Sequence, residues 1–238
     1  TWATEQNLSV SGGTDRSSFR VSFSYLYDGS TLQYGNHRNQ RYNFRANNTY
    51  KLSDKVTLES SISYNRQQQV TPTSIGSVLT TSMPMPGLPF RSQNGKAYAW
   101  GTWGSPVAKL EEGGDNKLSV SAININETLK YNITSWLNAT GEVGYNTNSA
   151  NRSVVENSIT YYNYFGNKRL LLTPTQAISS HNHTDSRTDF YSFSVYLNAT
   201  RTFADKHNLR LPAGPPHEFK EYLYYGTNVQ HLQDRLAI

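Results

Sequence analysis

Cysteine is absent from the 238 residues, which excludes a disulfide framework, a thiolate metal site and a cysteine nucleophile. Leucine, isoleucine and valine are scarce. Only 36% of residues are apolar and the mean hydropathy is −0.66, too little for the buried core that a chain of this length ordinarily carries. Charge is sparse as well, at 16%, which separates the chain from the low-hydrophobicity, high-charge disordered class. The net charge of +5 and pI near 9.3 come from scattered Arg and Lys without a basic run, so nucleic acid is not an expected partner. No apolar stretch approaches the roughly 18 residues of a membrane helix. A transmembrane barrel stays open, because its strands alternate and give no hydropathy peak.

What fills the composition is Ser, Thr, Asn, Gln and Gly, together with 17 Tyr, 9 Phe and 4 Trp. Their order has period two over unusual lengths. Phe19, Val21, Phe23, Tyr25 and Tyr27 alternate with Ser18, Arg20, Ser22 and Ser24, the pattern of a strand with one apolar and one polar face. Tyr42, Phe44, Ala46 and Tyr50 alternate with Arg41, Asn43, Arg45, Asn47 and Thr49. A short turn at Ser53, Asp54 and Lys55 then leads into Val56, Leu58, Ile62 and Tyr64, set against Thr57, Glu59, Ser61 and Ser63. Leu137, Ala139, Val143 and Tyr145 continue the habit, as do Tyr191, Phe193, Val195, Leu197 and Ala199. Between Ala122 and Ile123 the apolar phase slips, which predicts a bulge.

The reading is all-β: about eight long antiparallel strands, an open curved sheet if isolated, from the wall of a larger transmembrane barrel. Strands of about 12 to 16 residues exceed the 5 or 6 usual in globular proteins and suffice to cross a bilayer at a tilt. Tyrosines gather towards strand ends, the level where an amphipathic ring meets lipid headgroups. Short connections near 53–55 and 132–135 contrast with long ones at about 67–117 and 150–186, as barrels have short periplasmic turns and long outer loops. The competing reading is a soluble aromatic-rich β-sheet protein that binds polysaccharide, or a passive porin-like or adhesive barrel.

Specific runs then carry a resemblance. Asn7-Leu8-Ser9-Val10-Ser11-Gly12-Gly13-Thr14, Arg41-Tyr42-Asn43-Phe44-Arg45-Ala46-Asn47, Met83-Pro84-Met85-Pro86, Ser105-Pro106-Val107-Ala108 and Thr202-Phe203-Ala204-Asp205-Lys206-His207-Asn208-Leu209 resemble, in order and spacing, the barrel of SusC/RagA TonB-linked outer-membrane transporters. The resemblance spans residues 7–211. It implies a 22-stranded plugged barrel that imports glycans or peptides across the bacterial outer membrane. Its implied partners are a SusD-like surface lipoprotein lid, the TonB complex, outer-membrane lipid and an oligosaccharide or peptide substrate. Plug, TonB-contacting segment and C-terminal barrel would lie outside these residues. Gly214-Pro215-Pro216 departs from the family's pattern, since paired prolines remove ladder donors, and 212–238 is left as a tail or a further barrel strand.

Candidate chemistry is thin. No glycine-rich phosphate loop, nucleophile elbow or zinc-protease motif occurs, so neither an enzyme nor a cofactor is expected. His181, His183 and Asp185 lack a further ligand at a familiar spacing and read as exposed loop residues. Glu111 and Glu112 would diverge on an extended backbone, unlike a glycosidase pair. Tyr98, Trp100 and Trp103 are candidates for ligand or lid contact, because aromatic faces stack on sugars and anchor interfaces; simple packing of the loop is the alternative. Arg20, Arg45, Glu59 and Glu142 fall on the polar face, where they would line the lumen or grip the plug.

Overall fold

The computed structural model describes residues 2–30, 32–80, 89–100, 103–169, 178–203 and 207–230. One antiparallel sheet dominates. It runs through β1 (Ala3–Gly13), β2 (Ser17–Gly29), β3 (Arg38–Lys51), β4 (Val56–Pro72), β7 (Asp115–Asn132), β8 (Leu137–Glu156) and β11 (Ser180–Phe203), and ends in β12 (His207–Ala213) and β13 (Pro216–Gln230), which share one edge of β11. The three connections after β1, β3 and β7 are short, with hydrogen bonds such as Ser53 N to Val56 O (3.2 Å) and Ile133 N to Leu137 O (3.0 Å) closing them. Residues 30–37, 73–114 and 157–179 link strands at the opposite end, the second of them beginning with the short helix α1 (Ile75–Thr80).

Register decides the faces. Phe23 lies opposite Phe44, Phe44 opposite Tyr64, and Tyr64 opposite Ile123. Tyr145 lies opposite Tyr191, and Tyr191 opposite Phe219. The apolar residues therefore join into one band across the sheet, and the band is uncovered: Phe23, Phe193 and Val195 are 44%, 51% and 49% exposed. The opposite face is polar and forms recesses, one of them lined by Arg20, Asn43, Arg45, Asn65 and Asn124. The polar face is thus the hollow one and the apolar face looks outward.

The six strands β2, β3, β4, β7, β8 and β11 each give a nine-residue window to the band: 19–27, 42–50, 56–64, 123–131, 137–145 and 191–199. Against the hydrogen-bonded register, the window holds its level or drops by two residues at each neighbour. Tyr27 faces Gln40 and Tyr42 faces Arg66, whereas Tyr64 faces Ile123; then Ile123 faces Thr147 and Tyr145 faces Tyr191. Six residues of rise at about 3.3 Å, over five spacings of about 4.8 Å, place the strands at about 40° to the normal of the band. Barrel strands in membranes tilt by 35–45°. Paired rings mark the band's upper rim, with centroids 4.9 Å apart for Tyr25 and Tyr42, 5.0 Å for Tyr145 and Tyr191, and 5.1 Å for Trp2 and Tyr27.

Two expectations change. The bulge at Ala122 and Ile123 is absent: β7 pairs residue by residue with β4 and β8 through that point. The phase slips because Leu118 and Val120 take the polar, inward face above the band, opposite Gln67 and Gln69. The strands also run further than their alternation: β4 reaches Pro72, β8 reaches Glu156 and β11 starts at Ser180, in stretches that are polar on both faces and so carry no period to read. At the tail, β12 and β13 hold one register on β11, Leu197 with Ala213 and Ser194 with Pro216, interrupted only at Gly214 and Pro215. A Cβ at Gly214 would collide with the Val195 carbonyl. Pro215 lies in the gap and Pro216 opens β13, so both prolines occupy the interruption or the first position of an edge strand, where a missing donor is tolerated.

Candidate functional site: the concave wall and the loop cluster

The alternation that turns aromatic rings outward turns Asn and Ser inward, and opposite positions then meet across strands. Asn43 Nδ2 donates to Ser24 Oγ at 2.8 Å, and Asn65 donates to Asn43. Asn124 Nδ2 donates to Ser63 Oγ at 3.2 Å, and Asn146 donates to Asn124. These lines of amides present a hydrated, uncharged surface beside a recess of 520 Å³.

All four sequence-chosen charges stand on this concave face, in two different conditions. Glu59 accepts from Lys130 Nζ at 2.6 Å, and Glu142 accepts from Tyr196 at 2.8 Å and Ser194 at 3.3 Å. Arg20 and Arg45 line the same recess, and neither has a carboxylate partner among the described residues. The pairing of Lys130 with Glu59, across strands 71 residues apart, has no signature in the sequence beyond the matching face.

A second unit sits at the long-connection end and holds most of the buried apolar side chains among the described residues. Ala97, Ala99, Ala108 and Tyr161 form a small core with Ile159 against it. The hairpin β5 (Ala99–Trp100) with β6 (Trp103–Gly104) and the helix α2 (Pro106–Glu112) supply one side, and β9 (Tyr161–Tyr162), paired with β10 (Lys168–Arg169), the other. Ser105 caps α2 by accepting from Ala108 N at 3.4 Å, with Pro106 at the first position, where its missing N–H costs nothing. The Tyr161 ring occupies the space a Cβ at Gly104 would take, so only glycine fits there. Burial first, then the nearby Glu112, push the Tyr161 hydroxyl above the usual phenol range. It stays protonated at physiological pH.

Tyr98 bridges in parallel to Tyr162 and packs edge-on to Tyr164, centroids 6.5 Å apart, which in turn meets Phe165 at 5.7 Å. Phe165 is 72% exposed. The side chains of Trp100 and Trp103 lie outside the described residues; their backbones pair with each other. The aromatic cluster thus draws on both long connections, and Tyr161, Tyr162, Tyr164 and Phe165 carried no signal beyond their density in the sequence. Glu111 and Glu112 do not diverge. At the end of α2 both carboxylates bind Arg91, Glu112 Oε1 at 3.0 Å from Nη1, because a helix end brings adjacent side chains within reach of one guanidinium fork. Converting Arg91 to Met is expected to free this helix end and raise amide exchange over residues 106–112 several-fold, with the strands unchanged.

His181 and His183 stand on β11, not in a loop. His183 Nε2 lies 2.8 Å from Asp185 and His181 Nε2 lies 2.9 Å from Ser153 Oγ. Among the described residues no three His, Cys, Asp or Glu groups converge to hold a metal ion.

No family model and no curated protein matches this sequence. Solved structures do. One of the RagAB peptide transporter aligns with 98% of this chain and 26% of its own, at a TM-score of 0.67 and 16% identity. Another, of the RagAB peptide importer in the open-open state, aligns with 99% and 26%, at a TM-score of 0.76 and 15% identity. The chain therefore spans about a quarter of the length of those chains, and its fold, an open antiparallel sheet of long strands, is that of part of the RagA barrel.

Proposed function

We propose that the chain is wall and outer loops of a SusC/RagA-type TonB-linked importer in the bacterial outer membrane. The observation that carries this is the continuous outward apolar band, nine residues tall on each of six strands and backed by lines of Asn and Ser side chains. At about 40° of tilt it is about 20 Å high, close to the belt with which barrels meet hydrocarbon. No described residue packs over the band, and lipid is the medium that such a face requires. Solute passes along the hollow side, where Asn and Ser side chains hydrogen-bond to peptide or glycan. Arg20 and Arg45 engage an anionic group in the lumen, on the plug or on the solute. The loop cluster around Tyr98, Trp100, Trp103 and Phe165 meets a SusD-like lid or the arriving solute, and the TonB complex acts through parts of the protein outside these residues.

The test is made on the intact protein that carries this segment. It is expected to require detergent for a monodisperse preparation, to show heat-modifiable migration, and to support uptake of a peptide or glycan that stops when TonB is deleted. A preparation monodisperse in buffer alone would refute the membrane reading; uptake unaffected by loss of TonB would refute the energised one.

The band contains one carboxylate. Glu127 faces outward midway along its window, flanked by Ile125 and Leu129, hydrogen-bonded to Ser60, with open space over neighbouring Gly141. Replacing Glu127 by Leu is expected to raise stability in lipid by on the order of 1 kcal/mol. Urea titration of the liposome-inserted protein measures this, and a loss of stability would show that Glu127 contacts something other than lipid.

A further inference from the structure

The outward face just above the band divides into two patches of opposite character. On β8, β11 and β13 the carboxylates Asp185, Asp189 and Glu221 outnumber the one arginine, Arg187. Arg187 pairs with Asp189 at 2.8 Å, His183 with Asp185 at 2.8 Å, and Asn151 donates to Asp185 at 2.5 Å. On β3, β4 and β7 the outward face carries Arg66, Arg38 and Lys117 at successive two-residue steps above the band, all exposed, and none has a carboxylate partner among the described residues.

Register brings these cations into one area. Arg38 lies opposite Val70, and Val70 opposite Lys117; four residues lower on β4, Arg66 lies between Tyr42 and Ser121. Gln40 and Gln68, opposite one another, fill the space between the two arginines, and Ser119 flanks Gln68. The patch is made of guanidinium, ammonium, amide and hydroxyl donors, and it contains no acidic side chain below Asp115 at the top of β7. Arg66 is the next outward residue above Tyr64, about 5 Å above the band, and Arg38 is about 10 Å above it. The polar headgroup layer begins at the hydrocarbon edge and extends for about 5–8 Å on each side, so Arg66 stands within it and Arg38 just beyond its outer margin. The long connections leave from this end, so the layer concerned is the outer leaflet.

We infer that Arg38 and Arg66, with Gln40, Gln68 and Lys117 around them, bind the phosphate of a phosphorylated outer-leaflet lipid against the outside of the wall. Arginine forks grip phosphate oxygens in pairs, the amides and hydroxyls supply further donors, and the lipid's acyl chains lie along the apolar band below. The adjoining patch, where Asp185, Asp189 and Glu221 outnumber Arg187, does not favour an anion. This inference rests on the membrane reading given above.

The experiment uses the intact protein in nanodiscs doped with phosphorylated lipid A or with the same lipid dephosphorylated, and reads retained lipid by native mass spectrometry. The Arg38→Gln/Arg66→Gln variant is expected to lose retention of the phosphorylated lipid by about ten- to thirty-fold, as removal of two interfacial cations implies, with retention of the dephosphorylated lipid unchanged. Arg38→Lys/Arg66→Lys should retain an intermediate amount, since the charge remains and the fork is lost. The Arg187→Gln/Asp189→Asn variant on the adjoining patch should match the parent. Equal retention by the glutamine variant, or an equal fall for both lipids, would overturn the inference. Displacement of the lipid by millimolar inorganic phosphate alone would assign the patch to a free anion and overturn the lipid assignment. A protein that inserts normally yet fails these comparisons removes this inference only, whereas one that never needs a membrane removes the reading beneath it.

Discussion

Placing arginine at Val195, at the centre of the outward window of β11, is expected to destabilise the lipid-inserted barrel by about 2–4 kcal/mol, the cost of a cation facing the middle of the hydrocarbon. The same substitution one residue earlier, at Ser194, is expected to be nearly neutral, because that side chain turns to the hollow face beside Glu142, from which Ser194 already lies 3.3 Å. The contrast between neighbours isolates the face from the strand: both changes remove a small residue and add a guanidinium to the same ladder. Urea titration in liposomes, followed by heat-modifiable migration, reads both. Similar losses at the two positions would mean that the wall is not lipid-bounded, and the proposed function would fall with that result.

The second large effect concerns the loop cluster. Tyr161 is 2% exposed and fills the space over Gly104, against Ala97, Ala99 and Ala108. Converting it to Ala leaves a cavity that three alanines and a glycine cannot collapse into, and large-to-small changes at aromatic core positions cost about 3–5 kcal/mol. This unit has little else to hold it, so hydrogen exchange over residues 89–100 and 103–112 is expected to approach that of an open loop while the strands keep their protection. Uptake should slow if the cluster meets the lid or the solute. Preserved protection in those segments would show that Arg91 and its two glutamates, not the aromatic core, hold the loop.

The wall was legible in the sequence because a half-buried strand writes its environment into every second residue. Phe19, Val21, Phe23, Tyr25 and Tyr27 can share one face only in a strand, and the structure places them there. What lay above the band was not legible. Residues 67–72 and 150–156 continue their ladders with polar side chains on most positions, so they match the composition of a loop. The false bulge has the same origin: Leu118 and Val120 turn apolar on the inner face, where the period of the band no longer applies. For the inner charges, alternation assigned Arg20, Arg45, Glu59 and Glu142 to a face but said nothing of partners, which depend on which strands are neighbours. The loop core depended on a contact between segments more than 50 residues apart, Gly104 with Tyr161, for which no local pattern exists.

The two-residue steps of the band have a further consequence for how such a wall can change length. A single inserted or deleted residue within a strand exchanges its two faces from that point on, driving the amides into lipid and the rings into the lumen. A change of two residues keeps every side chain on its own face and only slides one window along its neighbour. Lineages of this wall should therefore record strand insertions and deletions in even numbers, with odd ones confined to the connections. Parity is a quantity that can be counted directly in any set of related sequences.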